Sequence, residues 1–279
     1  MEILYSLREI FLALRMLNYR KKIYFSFSKL HKLLIITAAD KSHEKSLIQL
    51  LSSIDQFEPN ALVKVYDLGL SRRALVYIEN NFLRLDFQII KVNFADHPDW
   101  MNVGNETKGE YAWKPLVISD SVNNILEGKN KSNTTILWLD AGDKLYKNLR
   151  TIRRYIQCYG FWSPASDGVI KDWTHQGLLD KIKLNRNQLN SNNLNGAVIG
   201  FSLASKKALN LLEKWTTLSQ EKDFIAPEGS SRANHRQDQA LLTVLAYKCS
   251  MQPKELKVLT YPDKSGILIH SDIDYLFDI

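Results

Sequence analysis

Cysteine is nearly absent from this chain, with Cys158 and Cys249 the only two in 279 residues. They lie far apart and lack the CxxC spacing of a zinc site or redox pair, so they read as core thiols in a reducing compartment. Proline and glycine are sparse, at 7 and 12 residues, and nowhere gather with serine into a linker that divides the chain. No repeat of fixed period is present. No uninterrupted run reaches the roughly 18 to 20 apolar residues of a membrane span, because Arg8, Glu9 and Arg15 interrupt the N-terminal apolar stretch. That stretch has neither a charged region before it nor a small-residue cleavage site after it, so no secretory signal is expected. A GxxxxGK phosphate loop and a nucleophilic DxDx(T/V) arrangement are both missing.

What is present is ample material for a core: 45% of residues are apolar and 10% aromatic, enough for one large domain that needs no disulfide. The formal charge of +7 favours an anionic partner. The basic residues are scattered, without the arginine and aromatic pattern of RNA-binding modules, so no nucleic-acid partner is expected. Near the N-terminus, Ile3, Leu4, Leu7, Ile10, Phe11, Leu14 and Leu17 recur at helical spacing, with Arg20, Lys21 and Lys22 beyond. Such a helix suits peripheral contact of residues 1–22 with an anionic membrane surface, and equally well packing on the core or on a second subunit.

From residue 32 onward, short β-branched runs alternate with amphipathic stretches, the pattern of a mostly parallel sheet with helices on both faces. Strands are expected at Leu33 to Asp40, Ala61 to Gly69, Phe87 to Phe94 and Thr134 to Leu139. Helices are expected after each of the first three, with Ser71 as a cap and Pro115 in a first turn. Later, Cys158 to Ser163 and Gly196 to Leu203 read as strands, Ala204 to Leu218 and Gln237 to Tyr247 as helices, and Asn185 to Asn195 as a loop. The organisation expected is a helical segment at 1–30 and one α/β domain at 31–279, with a nucleotide-binding half (31–145) and an acceptor half (146–279).

In an open α/β sheet, ligands gather at the carboxyl ends of the strands. Asp40, Asp67 and Asp140 each follow a strand, where an acid serves a hard cation or a ribose; a helix cap or turn is the other use for each. In WLDAGD, Asp140 and Asp143 lie close enough to share one ion, and Gly142 admits close backbone approach. Trp173 and His175 form an aromatic and polar pair suited to a sugar face.

The segments TAAD (37–40), VYDLGLS (65–71), YAWKP (111–115), LWLDAGD (137–143), WTH (173–175), NGAVIGF (195–201) and NHRQDQALL (234–242), in this order, resemble a group of GT-A-type glycosyltransferases. The resemblance spans roughly residues 32 to 250, and it implies a GT-A-like single domain. It would set Thr37, Ala38 and Asp40 beside the nucleobase and ribose, with Asp67 nearby, Lys114 toward the diphosphate, and Tyr111 and Trp113 as stacking surfaces. Asp140 matches the first acid of the metal-binding motif. Gly142 takes the place of the second acid, Asp143 comes one position late, and His270 would be a third ligand to Mn2+ or Mg2+. Asn195, Gly196, His235 and Arg236 would meet the sugars, and Asp238 and Gln239 the reacting centre: Asp238 as base in an inverting transfer, either residue as a stabiliser in a retaining one.

The function implied is transfer of a hexose from a nucleoside diphosphate sugar, UDP-linked, to a hydroxyl of a glycan acceptor. Bacterial surface polysaccharide is the setting expected, with lipid-linked acceptors at the inner face of the cytoplasmic membrane. Two other readings stand beside it: a metal-dependent sugar nucleotidyltransferase or phosphatase, and a non-catalytic nucleotide-sugar-binding protein.

Overall fold

A computed structural model describes residues 29–127, 133–253 and 265–274. The expected N-terminal helix and its membrane contact through residues 1–22 lie outside the described residues.

Four apolar runs form the strands β1 (Lys32–Ala39), β2 (Leu62–Asp67), β3 (Asp86–Lys91) and β4 (Thr134–Leu139). They are followed by β5 (Lys144–Leu145), β6 (Phe161–Trp162), β7 (Ala165–Val169), β8 (Asn192–Leu194), β9 (Val198–Ser202) and β10 (Ile267–Leu268). The main sheet has the order β3-β2-β1-β4-β9-β6, with the first three pairings parallel and the pairs β4–β9 and β9–β6 antiparallel. Two small antiparallel ladders, β5–β10 and β7–β8, stand beside it.

The longer helices are α1 (Glu44–Phe57), α2 (Arg72–Asn81), α3 (Trp113–Leu126), α4 (Arg150–Tyr159), α5 (Lys206–Ser219) and α6 (Gln237–Lys248). Strand β1 shows how both faces are covered. Leu34, Ile36 and Ala38 enter one apolar cluster with residues of α3, α5 and α6, while Leu33, Ile35 and Ala39 enter another with residues of α1, α2 and α4. A strand buried on both sides loses the polar alternation of a half-exposed one, which is why KLLIITAA is apolar at nearly every position. The result is an α/β fold with a mostly parallel central sheet and helices on both faces.

Two expectations are corrected. The stretch from Cys158 to Ser163 is not one strand: α4 runs through Tyr159, placing Ile152, Tyr155 and Ile156 on one buried face, and only Phe161–Trp162 pairs in the sheet. The polar run from Asn185 to Asn195 is not a plain loop. Asn185 caps a helical turn at Arg186–Leu189 through a reciprocal capping box with Gln188, and β8 follows.

Among the described residues no helix is long and apolar enough to cross a membrane.

Candidate active site

The carboxyl ends of β1 and β4 open onto a cleft of about 480 Å³. One wall comes from Ala38, Ala39, Asp40 and His43, the floor from Trp138, Asp140, Ala141 and Gly142, and the opposite wall from Asn195, Gly196 and Arg236 to Gln239. Lys108, Tyr111, Trp113 and Lys114 border it from the segment that opens α3, and His270 and Asp272 from the segment after β10.

Lys114 is the centre of its electrostatics. Pro115 sits in the first turn of α3, where its missing N–H costs nothing, and this fixes Lys114 at the helix start. The buried Nζ lies 3.0 Å from Asp140 Oδ1 and 3.4 Å from Asp238 Oδ2, and donates to the carbonyl of Gly196 at 3.1 Å. The rings of Tyr111 and Trp138 flank it, with centroids 5.7 and 5.3 Å away. Burial disfavours its charge, but the carboxylates of Asp140 and Asp238 outweigh that and hold Lys114 protonated above the usual lysine range. Asp140 Oδ1 accepts a second hydrogen bond from Trp138 Nε1 at 2.6 Å. Burial pushes the Asp238 carboxyl up to about 6 against the pull of Lys114.

At the β1 end, Asp40 accepts from Ser42 N at 2.9 Å and meets His43 Nδ1 at 3.2 Å and Lys108 Nζ at 3.3 Å. Hydrogen bonding from His43, opposed by burial and reinforced by Ser42 and Lys108, holds its carboxyl well below the usual range. Lys108 arrives there through an uncommon backbone. Lys108, Gly109, Glu110 and Tyr111 have φ of 53, 64, 51 and 55°, a full turn in the left-handed region, where each L-residue with a side chain costs energy. Gly109 is required in it, since a Cβ there would lie 2.0 Å from the carbonyl oxygen of Met101.

Ala38, Asp40, Tyr111, Lys114, Asp140, Trp173, Asn195, Gly196, Arg236, Asp238, Gln239 and His270 all border this cleft. Thr37, Asp67, Asp143, His175 and His235 do not. Thr37 is fully buried in β1. Asp67 Oδ1 accepts from Gly69 N and Leu70 N at 2.8 and 2.6 Å, so it shapes the turn after β2. His175 caps a helical turn by accepting from Gly177 N at 3.2 Å. Its own N–H donates to Nδ1 of the buried His235, whose Nε2 then donates to the carbonyl of Ile225 at 2.9 Å. Burial lowers His235 to about 4, so it is a neutral cross-link between two loops. Elsewhere on the cleft, Asn195 Oδ1 accepts from Ala197 N, and Gln239 Oε1 from Gly196 N.

The segment after β10 supplies a residue that sequence reasoning missed. Gly142 has no side chain, and the carboxylate oxygens of Asp272 lie 2.2 and 2.3 Å from where its Cβ would be. Asp272 thus occupies the space of the acid that is absent from the DAGD turn. Asp143 is fully buried behind that turn and accepts from His270 N at 3.4 Å; burial, then the charge of Asp140, raises its carboxyl well above the usual range. Asp140, His270 and Asp272 are the oxygen and nitrogen donors that border the cleft near this turn. They do not form a ready coordination set: Asp140 is already engaged by Lys114 and Trp138, and among the described residues no three His, Cys, Asp or Glu side chains are grouped to hold an ion.

His43, Lys108, Ser166, Asp167, Arg232, Gln237 and Asp272 are among the cleft residues not foreseen. Asp272 follows His270 by two positions, and His43 follows Asp40 by three, spacings that were there to be read. Nothing local marks Lys108 or Arg232.

No protein-family profile and no curated protein matches the chain. Solved structures do. A galactosyltransferase LgtC in complex with donor and acceptor sugar analogs is 21% identical over 76% of this chain and 70% of its own, with a TM-score of 0.45. The WbbM bifunctional glycosyltransferase is 10% identical over 80% of this chain and 38% of its own, with a TM-score of 0.48. Mouse xyloside xylosyltransferase 1 is 13% identical over 80% and 83%, with a TM-score of 0.44.

Proposed function

We propose that this chain is a glycosyltransferase of GT-A type that moves a hexose from a nucleoside diphosphate sugar, UDP-linked, to a hydroxyl of a glycan acceptor. The observation that carries the reading is the meeting of Asp140, Lys114 and Asp238 in one cleft at the strand ends. Departure of a nucleoside diphosphate builds negative charge, and a buried, permanently protonated Lys114 offsets it without reorganisation. The nucleoside lies against Ala38, Ala39 and Asp40, and the transferred sugar lies beside Asn195 and Gly196.

Asp238 is the group for the acceptor side. With a carboxyl pushed to about 6, it is ionised at neutral pH yet basic enough to take a proton from an attacking hydroxyl in an inverting transfer. In a retaining transfer it stabilises charge at the anomeric carbon together with Gln239. A divalent ion bound to Asp140 would sit beside the ammonium of Lys114, which with Trp138 holds Oδ1 of that carboxylate. Residues 31–145 form the donor half and 146–279 the acceptor half. A glycan of bacterial surface polysaccharide, built on lipid at the cytoplasmic membrane face, is the acceptor that accords with the sequence resemblance.

The test is calorimetric titration with UDP and UDP-hexoses, with and without Mn2+, followed by UDP release in the presence of glycan acceptors. Binding at micromolar Kd and acceptor-dependent release are expected. If no nucleotide sugar binds under either condition, the reading is wrong.

A further inference from the structure

The cations of the cleft are of two kinds. Lys108 and Lys114 are ion-paired in place, with Asp40 and with the pair Asp140 and Asp238. Arg232 and Arg236 border the same cleft, and among the described residues no carboxylate lies within ion-pair distance of either, Asp167 on the same cleft included.

Both instead lie over aromatic rings, Arg236 in close contact and Arg232 at longer range. The Arg236 guanidinium carbon is 3.9 Å from the ring centroid of Trp173, and that of Arg232 is 5.7 Å from the ring of Tyr111. The platforms are themselves fixed. The Trp173 ring packs so close to Gly168 that a Cβ there would lie 2.2 Å from its Nε1, and Tyr111 is set by the left-handed turn and by Trp113, 6.2 Å away. One face of Trp173 is therefore taken by Arg236, and the ring works as a support for the guanidinium. Stacking uses the plane of a guanidinium and leaves its N–H edge for in-plane bonding, the geometry that matches a phosphate or carboxylate.

We infer that, if the glycosyl-transfer reading on which this rests is right, the acceptor is an acidic sugar whose phosphate ester or carboxylate is bound by Arg232 and Arg236. The two arginines stand two and six positions before Asp238, the residue assigned to the acceptor hydroxyl. The donor diphosphate has its own cation in Lys114, at the start of α3 and 3.0 Å from Asp140. Two further fixed positive charges beside Asp238 would be wasted on a neutral glycan.

The experiment is a titration of the full chain, saturated with UDP, with glucose 6-phosphate, methyl glucuronoside and neutral methyl glucoside. One or both acidic sugars should bind about tenfold or more tighter than the neutral one, the range of a charged hydrogen-bonded contact. The double variant Arg232→Met/Arg236→Met should erase that preference and leave the Kd for UDP within about twofold; Arg236→Lys, which keeps charge but loses the stacked fork, should retain part of it. The inference is overturned if all three sugars bind alike or not at all. It is also overturned if the double variant weakens UDP as much as the acidic sugars, because the arginines would then belong to the donor diphosphate. Failure of UDP itself to bind refutes the glycosyl-transfer reading instead, and the same sugar comparison without nucleotide still reads the arginine pair.

Discussion

The ammonium of Lys114 lies 3.0 Å from Asp140, joining the start of α3 to the end of β4 inside the protein. A buried charge of this kind is held by its partners, and its removal leaves them exposed to each other. Lys114→Met should therefore lower stability by about 3 to 5 kcal/mol, read by urea denaturation, because Asp140 and Asp238 lose their shared cation. Turnover should fall by roughly 100-fold or more.

The same variant separates two cations that compete for Asp140. With the lysine gone, the free protein should bind Mn2+ more tightly, which paramagnetic resonance of the ion reports directly. Unchanged or weaker Mn2+ binding would show that Asp140 is not the shared ligand.

Asp238 makes a prediction about pH. Its carboxyl moves from 3.8 to about 6 on folding, so the folded state holds the proton more tightly than the unfolded chain. That contribution is fully present below pH 4 and is lost as pH rises through 6, by about 3 kcal/mol for a shift of roughly two units. Denaturation of the wild type against Asp238→Asn between pH 4 and 7 should show this loss in the wild type alone. In an inverting transfer, kcat/KM should rise with pH through an apparent pKa near 6.

His235 has the opposite sign. Burial lowers it from 6.5 to about 4, so its contribution is fully present above pH 6.5 and is lost as pH falls through 4. Replacement by Ala should flatten the stability profile between pH 7.5 and 4, a span in which the wild type loses about 3 kcal/mol from this residue.

The left-handed turn predicts that Gly109→Ala costs about 2 to 4 kcal/mol, from the backbone strain and from the collision with the carbonyl of Met101. Thermal denaturation measures the loss. A neutral result would mean that the turn has an alternative path.

Much of this was readable from residue order. Strands β1 to β4 announce themselves because burial on both faces leaves no room for polar alternation, and the acids after β1 and β4 fall on the cleft for the same topological reason. Strand β6 was not readable: its two residues follow directly on α4 and pair only through contact with β9. Strand β8 hides in an asparagine-rich run, since its pairing with β7 is tertiary. Tyr111 was visible as a cleft aromatic, but not its backbone, because three of the four left-handed residues have side chains that ordinarily avoid φ above zero. Asp272 was missed because spacing within WLDAGD directs attention to Asp143, which is shorter in sequence but buried away from the cleft.

The segment from His270 to Asp274 is stitched to parts of the chain made long before it. Asp274 accepts from Lys45 N at the start of α1, Gln49 donates to the carbonyl of Ser271, and Ser271 N donates to the carbonyl of Gly142. A chain that lost these bonds would keep its six-stranded sheet and lose the edge of the cleft that His270 and Asp272 supply.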